Sequence, residues 1–413
     1  MNRDLKVGIV GAGIQGVSNA LFLQKKGFNV TIFDRDNPGS QAASYGNAGH
    51  FSPYASLSLN RTDVLADVPA MLLSSSGPLA LKWNYVPKMI PWFIKFIMNT
   101  TKSKMMHTAK NMHQILDLAL PAYDELFEEL DLEGLVENKG ILYIWNDKDL
   151  KSRELEIKVR EELGVKQQLV NKKEIHDLEP NLAPVYYSGQ LFVGSRHTTN
   201  PLAISNKIFE SFLKLGGQYI RDEVKNVKQN ENSVDIFLSD KKLEFDEMVL
   251  CAGAWSNSIA KMVGENFPLD TERGYHVLFE TDKQLINRPI AWSESGFYLI
   301  QINEGVRAAG TVEIAGLNKP PNYKRTQMIE RQSRKILPQL GKVISTWMGR
   351  RPTLPDAMPI IGKSIKNKNI IYAFGHQHIG WTLAAVTGRV IDELVKGSQP
   401  NFDISPFKPD RFK

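Results

Sequence analysis

The first 34 residues show an apolar pattern that changes from strand-like to helix-like and back. Leu5–Val10 predicts a buried strand, Val17–Lys26 a helix and Asn29–Asp34 a second strand. Gly11–Gly16 forms a glycine-rich turn before the helix, and Gly27 stands where a helix C-terminal cap is expected. This order predicts a βαβ unit, and therefore a parallel sheet covered by helices.

The rest of the chain alternates between helical and strand-rich segments. Residues 60–135 show a mostly helical pattern, whereas residues 274–314 predict an antiparallel sheet. We therefore expect an α/β fold, in which a Rossmann-type dinucleotide-binding domain carries an inserted mixed or antiparallel α+β substrate domain. The other predicted helices are Leu150–Leu163, Leu202–Leu215 and Gly380–Lys396, and the other predicted strands are Gly140–Trp145, Gln218–Arg221, Val224–Gln229, Val234–Leu238, Phe245–Cys251 and Ile370–Phe374.

Composition agrees with a two-domain globular protein. The chain has 413 residues, of which 42% are hydrophobic and 23% charged, so it is too large for a small binding module. Lys and Arg exceed Asp and Glu by 51 to 45, a net charge of +6 without any concentrated basic run. We therefore expect no nucleic-acid partner, and a solvated basic surface that leaves weak attraction to anionic ligands or membranes open.

Cys251 is the single cysteine of the sequence, which excludes an intramolecular disulfide framework and favours a reducing compartment. Met1–Asp4 leads directly into the first strand and leaves no room for a signal peptide. These observations predict a cytoplasmic protein. His376 and His378 are the only closely spaced histidines and lack the further ligands of a zinc site, so we expect no metal.

An apolar segment at residues 83–98 is too interrupted to span a membrane, because two prolines and two lysines break it at residues 86–98. Its aromatic and basic residues suit the headgroup boundary of a bilayer. One hypothesis is therefore peripheral docking on the inner face of the membrane. The alternative is packing of this segment as core or as a subunit contact.

The glycine-rich turn has the GxGxxG spacing of dinucleotide-binding proteins. Gly11 permits the tight turn, Gly13 allows backbone approach to a pyrophosphate, and Gly16 allows close packing of helix on strand. The helix N-terminus offers N–H groups to the phosphates, and Asp34 ends the second strand where an acid binds a ribose diol. This unit alone does not distinguish FAD from NAD.

Four later segments add small residues next to polar ones. In Ser40–Pro53 small residues would let the backbone approach a flat ring system, with Ser44 and Asn47 as polar contacts. The other three segments are Leu250–Ser256, Trp347–Asp356 and Gly375–Thr382.

With these segments, the sequence resembles the D-amino-acid oxidase superfamily of flavoproteins, most closely its bacterial D-amino-acid dehydrogenase small-subunit branch. The resemblance rests on the glycine fingerprint, the SxxNAG segment from Ser44, CAGAWS from Cys251, RPxxPDxxPxIG from Arg351 and GHxxxGWT from Gly375. It covers nearly the whole chain, although residues 60–190 match loosely. It implies an FAD-binding domain at 1–80, 191–265 and 341–413, and a substrate domain at 81–190 and 266–340.

The resemblance also implies non-covalent FAD, because related enzymes that attach flavin use a cysteine near the C-terminus, which this chain lacks. Asp34 and Arg35 would bind the adenosine end, and the backbone of Val224 would contact adenine. Backbone donors near the flavin carbonyl edge would stabilise the reduced ring. The implied cofactor-binding residues are Gly11, Gly13, Ile14, Gln15, Gly16, Asp34, Arg35, Ser44, Asn47, Ala48, Gly49, Val224, Ala252, Gly253, Gly375, Gly380, Trp381 and Thr382.

An amino-acid substrate needs its carboxylate held in one orientation, which a guanidinium does through two parallel hydrogen bonds. Arg351 matches the arginine that similar enzymes use, and its neighbour Arg350 is the competing choice; either could instead pair with Asp356. The further candidates, which could bind substrate, line the pocket or be purely structural, are Tyr275, His276, Tyr298 and His50.

The function expected is FAD-dependent oxidative deamination of a D-amino acid or a proline-type imino acid. A hydride would pass from the substrate Cα to flavin N5, and a quinone or other carrier would take the electrons. The alternatives are an amine oxidase of the glycine or sarcosine oxidase type that uses O₂ and, more remotely, a non-catalytic protein that senses a nucleotide.

Overall fold

Two large β-sheets form the framework of the protein. The computed structural model describes residues 5–74, 77–148 and 150–413, so that Met1–Asp4 lie outside the described residues. The strands are β1 (Lys6–Val10), β2 (Asn29–Asp34), β3 (His50–Phe51), β4 (Leu79–Leu81), β5 (Val136–Glu137), β6 (Ile141–Trp145), β7 (Gln168–Asn171), β8 (Ser188–Phe192), β9 (Arg196–Thr198), β10 (Gln218–Arg221), β11 (Asn226–Gln229), β12 (Val234–Phe237), β13 (Lys242–Phe245), β14 (Glu247–Leu250), β15 (Asp270–Phe279), β16 (Ile290–Trp292), β17 (Phe297–Ile302), β18 (Gly305–Ile314), β19 (Val343–Thr353), β20 (Ile360–Lys363) and β21 (Ile370–Phe374).

Helices cover both sheets and the rim between them. Among the described residues, no helix is long and apolar enough to cross a lipid bilayer. The α-helices are α1 (Ile14–Lys25), α2 (Thr62–Leu73), α3 (Val86–Met98), α4 (Lys102–Asp117), α5 (Ala119–Phe127), α6 (Glu154–Glu162), α7 (Lys172–Leu178), α8 (Pro201–Lys214), α9 (Ser256–Met262), α10 (Tyr323–Ile336) and α11 (Gly380–Val395), and the 3-10 helices are Trp83–Tyr85, Leu150–Arg153, Gly253–Trp255, Ser293–Ser295, Ser405–Phe407 and Pro409–Phe412.

The first sheet has six strands in the order β10-β2-β1-β14-β21-β20, parallel except for β20. Apolar residues of α1, α5, α8 and α11 share one buried core with this sheet. The antiparallel strands β11, β12 and β13 share a second core with it. Strand order reverses at β1, so the C-terminal ends of β2, β1 and β14 form the crevice where such sheets bind ligands.

The second sheet has nine strands in the order β19-β15-β18-β17-β16-β6-β8-β7, with β4 beside β18. Most pairs are antiparallel, but β16 pairs with β6, and β18 with β4, in parallel. Helix α10 packs on this sheet through Met328, Ile329 and Ile336. The predicted fold, a Rossmann-type domain with a mixed α+β insertion, is therefore confirmed.

Most predicted elements lie within a few residues of the observed ones, but the predicted strand Phe245–Cys251 is wrong. Phe245 ends β13, and the chain turns at Asp246 before β14. The Asp246 carboxylate accepts a hydrogen bond from the Lys6 N–H, while its own N–H donates to the Lys6 carbonyl. The apolar run thus contains two strands of different sheets.

Sheet membership also bears on the predicted domain boundaries. Strand β19, which falls in the predicted segment 341–413 of the FAD-binding domain, pairs with β15 in the larger sheet. Strand β4, at the end of the predicted segment 1–80, pairs with β18 of the same sheet. By sheet membership the chain therefore returns to the parallel sheet after Thr353, and the remaining boundaries stay predictions.

Candidate active site

A cavity of about 1480 Å³ lies between the two sheets. Its walls come from the C-terminal ends of β1, β2 and β14 on one side, and from β15, β17, β18 and β19 on the other. The volume exceeds the range of about 300–1,000 Å³ that is usual for drug-sized ligands, and it leaves room for an extended dinucleotide together with a substrate.

The glycine-rich turn brings backbone to the cavity wall. A Cβ atom at Gly11, whose φ is +111°, would lie 2.5 Å from the Cys251 carbonyl oxygen, and one at Gly16 would lie 1.8 Å from the Gly11 carbonyl oxygen. Only glycine permits this approach of β1, α1 and β14. Gly13 lines the cavity as the N-cap of α1, and the next residue, Ile14, donates its N–H to a neighbouring serine.

Asp34 ends β2 at the edge of the same cavity. Its two carboxylate oxygens accept hydrogen bonds from the N–H groups of Ala12, at 2.7 Å, and Asp36, at 3.0 Å. Burial raises the pKa of the Asp34 carboxyl, and these hydrogen bonds oppose that shift. Each oxygen keeps a lone pair for a ribose hydroxyl. The guanidinium of Arg35 lies 4.5 Å from the ring centroid of Trp255.

The loop from Ser44 to Gly49 is held from behind by the larger sheet. The Asn47 side-chain oxygen accepts the Gly49 N–H at 2.7 Å. The ring of Trp347 covers Gly46 so closely that a Cβ there would lie 2.0 Å from it. Arg307 donates a hydrogen bond to the Asn47 carbonyl at 3.0 Å. The loop is therefore rigidly placed, with Ser44, Gly46, Asn47 and Ala48 on the cavity surface.

The start of α11 forms the opposite edge of the cofactor end. The Gln15 side-chain amide donates to the Gly380 carbonyl at 2.7 Å, which ties the glycine-rich turn to this helix. Gly380 and Trp381 line the cavity, and the Trp381 carbonyl accepts a hydrogen bond from Tyr123. A helix N-terminus presents free N–H groups and a partial positive charge, as expected beside the carbonyl edge of a flavin.

Four predicted cofactor-binding residues lie behind the cavity surface and have structural contacts instead. Gly16 packs α1 on β1, and Gly49 has a φ of +67° in contact with Thr198. Gly375 has a φ of +84°, and a Cβ there would lie 2.4 Å from Leu354. The Thr382 hydroxyl accepts the Ser52 N–H at 2.9 Å. The cavity is lined by the other predicted cofactor-binding residues, Gly11, Gly13, Ile14, Gln15, Asp34, Arg35, Ser44, Asn47, Ala48, Val224, Ala252, Gly253, Gly380 and Trp381.

The structure separates Arg351 from Arg350. Arg351 of β19 lines the cavity and donates to the Thr311 carbonyl at 2.8 Å, and its guanidinium covers Gly274 of β15. Arg350 also lines the cavity, but it donates to the Leu317 carbonyl at 2.8 Å and lies 5.5 Å from the ring centroid of Trp255. Alternation along a strand sends adjacent side chains to opposite faces.

Asp356 pairs with neither of these arginines. Its carboxylate accepts a hydrogen bond from Arg411 at 2.6 Å, near the C-terminus of the chain. The alternative in which Arg351 or Arg350 serves as the partner of Asp356 is therefore wrong.

Uncharged aromatic side chains line the same cavity as Arg351. The rings of His50 and Tyr298 lie 4.3 Å apart, and the Tyr298 hydroxyl is hydrogen-bonded to that of Tyr143. Burial lowers the pKa of His50 to about 4 and raises that of Tyr298 well above its usual value. Both side chains are therefore neutral at pH 7, and they leave a low-dielectric pocket beside a permanent cation.

Tyr275 lines the cavity with its hydroxyl already hydrogen-bonded to protein groups, whereas His276 lies behind the cavity surface. The Tyr275 hydroxyl donates to Glu313 at 2.6 Å and accepts the Asn322 N–H at 3.0 Å, within the core of the larger sheet. The His276 ring stacks on Trp347 and lies 3.3 Å from the Gly46 carbonyl. Burial lowers the pKa of His276 to about 3. His276 therefore supports the loop from behind instead of facing the cavity.

Several cavity residues carry no signal that the motif analysis used. Tyr54 and Tyr143 line the cavity from two separate segments, and only the fold brings them together. His378 also lines the cavity, and it lies in the Gly375–Thr382 segment. Glu272 is different, because it lies two residues before Gly274 and so shares its face of β15. Counting back along the strand in steps of two residues from the Arg273–His276 segment could have identified Glu272.

Comparison with known proteins identifies the family of this chain. The family described as FAD dependent oxidoreductase matches residues 6–394. The chain belongs to this family. A D-amino-acid oxidase of Bradyrhizobium diazoefficiens is 34% identical over 100% of both chains. A D-amino acid dehydrogenase 3 of Mesorhizobium japonicum is 27% identical, covering 96% of this chain and 98% of that protein.

A solved structure shows the same fold. Glycine oxidase from Geobacillus kaustophilus superposes with a TM-score of 0.74 over 98% of each chain, at 18% sequence identity. As a member of an FAD-dependent family, this oxidoreductase is an enzyme as expected, and the remote alternative of a non-catalytic nucleotide sensor is wrong.

FAD fits the residues present. The glycine-rich turn, the Asp34 carboxylate and the N-termini of α1 and α11 converge on one elongated cavity, and the buried side-chain oxygen of Gln15 lacks a protein partner there. Cys251 does not suit covalent attachment, because its thiol accepts a hydrogen bond from Asn19 and burial raises its pKa to about 12.

Among the described residues, no group of three or more His, Cys, Asp or Glu side chains could hold a metal ion.

We expect Gly13→Val to abolish FAD binding, since a side chain at this cavity-facing N-cap would occupy the space of the pyrophosphate and meet Ala42, which lies 3.3 Å from a Cβ there. The purified wild type should be yellow, and acid precipitation should release FAD into the supernatant. Absorbance at the flavin band measures both. Gly194→Val, at a glycine with open space around it and no positive φ, is the matched control. A yellow Gly13→Val protein would contradict the assignment, and flavin that stays in the precipitate would contradict non-covalent binding.

Proposed function

We propose that this oxidoreductase removes a hydride from the Cα atom of a D-amino acid or a proline-type imino acid. The single observation that carries the proposal is the buried guanidinium of Arg351, which faces the cavity among neutral aromatic side chains. Curated relatives named D-amino-acid oxidase and D-amino acid dehydrogenase support this substrate class.

In the proposed reaction, Arg351 binds the substrate carboxylate bidentately and so fixes the direction of the Cα–H bond. FAD supplies a two-electron acceptor, flavin N5, for the hydride. Tyr298 and His50 exclude water and pack against the substrate, because both are neutral and buried. The imine released is hydrolysed to a keto acid and ammonia, or remains a cyclic imine when the substrate is a proline derivative.

The electron acceptor in this proposal is a quinone or another carrier. An apolar surface at the cavity rim supports it, with residues from α2 and from the predicted membrane-docking segment 83–98. We call these residues the rim surface: Val64, Val68, Met71, Phe93, Phe96 and Ile97. An O₂-using oxidase is the competing hypothesis, which the name of the Bradyrhizobium relative supports.

The segment 83–98 is only partly packed. Met89 and Trp92 are buried against Ile314, as the core-packing alternative expects. Trp83 is 72% exposed, and the exposed apolar residues that follow it are Ile90, Ile94, Ile97 and Met98. Core packing therefore accounts for one side of this segment only.

We further propose that the exposed side of this segment contacts an anionic membrane surface. Lys82, Lys88 and Lys95 are exposed beside the apolar residues, which is the composition that binds anionic headgroups. Such contact would bring the rim surface, and with it the cavity, close to a lipid-dissolved quinone.

Anaerobic mixing with single amino acids tests the proposed reaction. At least one D-amino acid or D-proline should bleach the flavin absorbance, whereas its L-enantiomer should bleach it much more slowly. Reoxidation by a soluble quinone in preference to air, followed by a hydrogen peroxide assay, distinguishes the two acceptors. A flavin that no amino or imino acid reduces would refute the proposal.

Arg351→Ala should raise KM for carboxylate substrates while FAD stays bound. Losing one partner of a charge-assisted contact in a desolvated site costs about 2–5 kcal/mol. Arg351→Lys should recover only part of the loss, since an ammonium lacks the planar fork. Steady-state kinetics measures the effect, and Arg350→Ala is the matched control on the other face of β19. A defect confined to Arg350→Ala would reverse the assignment.

Ile94→Glu combined with Ile97→Glu should abolish binding to phosphatidylglycerol vesicles without loss of FAD, because each adds charge to an exposed apolar position. Vesicle sedimentation measures binding. Val193→Glu, at an apolar residue 55% exposed elsewhere, is the control. Wild-type protein that never sediments with vesicles, or that forms a dimer which the double variant disrupts, would favour a subunit contact instead.

A further inference from the structure

A carboxylate without a protein partner faces the same cavity as Arg351. Glu272 lies opposite Arg351 in the register between β15 and β19, and both side chains line the cavity. Residues directly opposite in an antiparallel pair point to the same face, with Cβ atoms about 4.5–5.5 Å apart. Within the part of the chain that the structure describes, no hydrogen bond or ion pair within 4.0 Å engages the Glu272 carboxylate.

Among the described residues around Glu272, Arg351 is the cation whose charge acts on the carboxyl. Arg351 comes from β19, neutral Tyr298 from β17, Thr311 from β18, and His378 from the loop before α11. Burial lowers the pKa of His378 to about 4, so this ring is neutral at pH 7. Burial raises the pKa of the Glu272 carboxyl, and Arg351 opposes that rise.

An unpaired carboxylate in a desolvated pocket costs free energy unless a ligand supplies its partner. Arg351 does not supply it, because the hydrogen bond that it makes goes to the Thr311 carbonyl instead of to Glu272. The pocket thus presents a cation and an anion side by side. This is the charge pattern complementary to a zwitterion whose carboxylate and ammonium are attached to one carbon.

We propose that Glu272 binds the α-ammonium group of the substrate and accepts its proton, while Arg351 binds the carboxylate. This inference rests on the proposed function, since it assumes an amino-acid substrate. An N–H bond of the ammonium breaks and an O–H bond forms on Glu272. The amine lone pair then assists cleavage of the Cα–H bond, whose electron pair passes as hydride to FAD, the oxidant. The products are an iminium and reduced FAD.

A ligand that carries the carboxylate but no amino group distinguishes two roles for Glu272. In one, Glu272 binds the substrate ammonium; in the other, it only balances the charge of Arg351. The test uses holoenzyme with two pairs of probes, D-alanine with propionate and D-proline with cyclopentanecarboxylate. In Glu272→Gln, KM for the amino or imino acid should rise about tenfold or more. The affinity for propionate or cyclopentanecarboxylate, measured by calorimetry, should stay equal or increase, because the negative charge of Glu272 is gone. If Glu272 only orients Arg351, both ligands should weaken together.

The pH dependence of flavin reduction tests the proton transfer. In the wild type, reduction should slow at low pH as Glu272 becomes protonated, at a higher pH than for an ordinary glutamate because burial raises its pKa. In Glu272→Gln only substrate whose amine is already neutral reacts. The efficiency of flavin reduction should therefore increase about tenfold per pH unit below the pKa of the substrate amine. An unchanged profile in the variant would overturn the proposal.

Controls keep the outcomes separate. Glu280→Gln, an exposed glutamate immediately after β15, should behave as the wild type. Flavin absorbance and thermal unfolding report folding, and Glu272→Asp should restore part of the activity if Glu272→Gln is poorly folded. Wild-type flavin that no amino acid reduces refutes the proposed function itself. The other outcome is that the wild type and the Arg351 variants behave as expected while Glu272→Gln is fully active. That outcome refutes the role of Glu272 but leaves the proposed function standing.

Discussion

The close approach of β1, α1 and β14 at the glycine-rich turn is the constraint on which the site depends. A side chain at Gly11 or Gly16 would overlap backbone atoms, so the helix can start directly over the strand ends only with glycine at these positions. That start places the N-terminus of α1 beside Asp34, and Gln15 then reaches across to Gly380. The cofactor end of the cavity is therefore built from backbone groups whose positions are fixed by these contacts.

At the opposite end of the cavity, electrostatic interactions constrain the site more than steric contacts do. Burial keeps the histidines and tyrosines that line this end uncharged, so they do not compete with Arg351 or Glu272 for a charged substrate group. In such a low-dielectric pocket a charged substrate group interacts far more strongly than at the surface. The antiparallel sheet serves as a rigid frame that fixes Arg351 and Glu272 in adjacent positions.

Local pattern was enough to predict the parallel sheet, the glycine-rich turn and the alternation of the two domains. Each of these depends on periodicity or on residues close in sequence. The tyrosines at positions 54, 143 and 298 could not be grouped in advance, since their meeting depends on how distant strands pair. The contacts of Tyr275 could not be predicted either, because Glu313 and Asn322, about 40 residues further along the chain, form the hydrogen bonds of its hydroxyl.

Helix α2 buries none of its residues and contains Pro69, whereas α11 has twelve buried residues against the parallel sheet. A helix with few buried contacts and one missing backbone hydrogen bond opens locally at small free-energy cost. Its amides should thus exchange with solvent long before those of α11. The part of the cavity wall that α2 contributes therefore opens more easily than the part that α11 contributes, and a substrate that entered past α2 would leave the framework that holds the cofactor undisturbed.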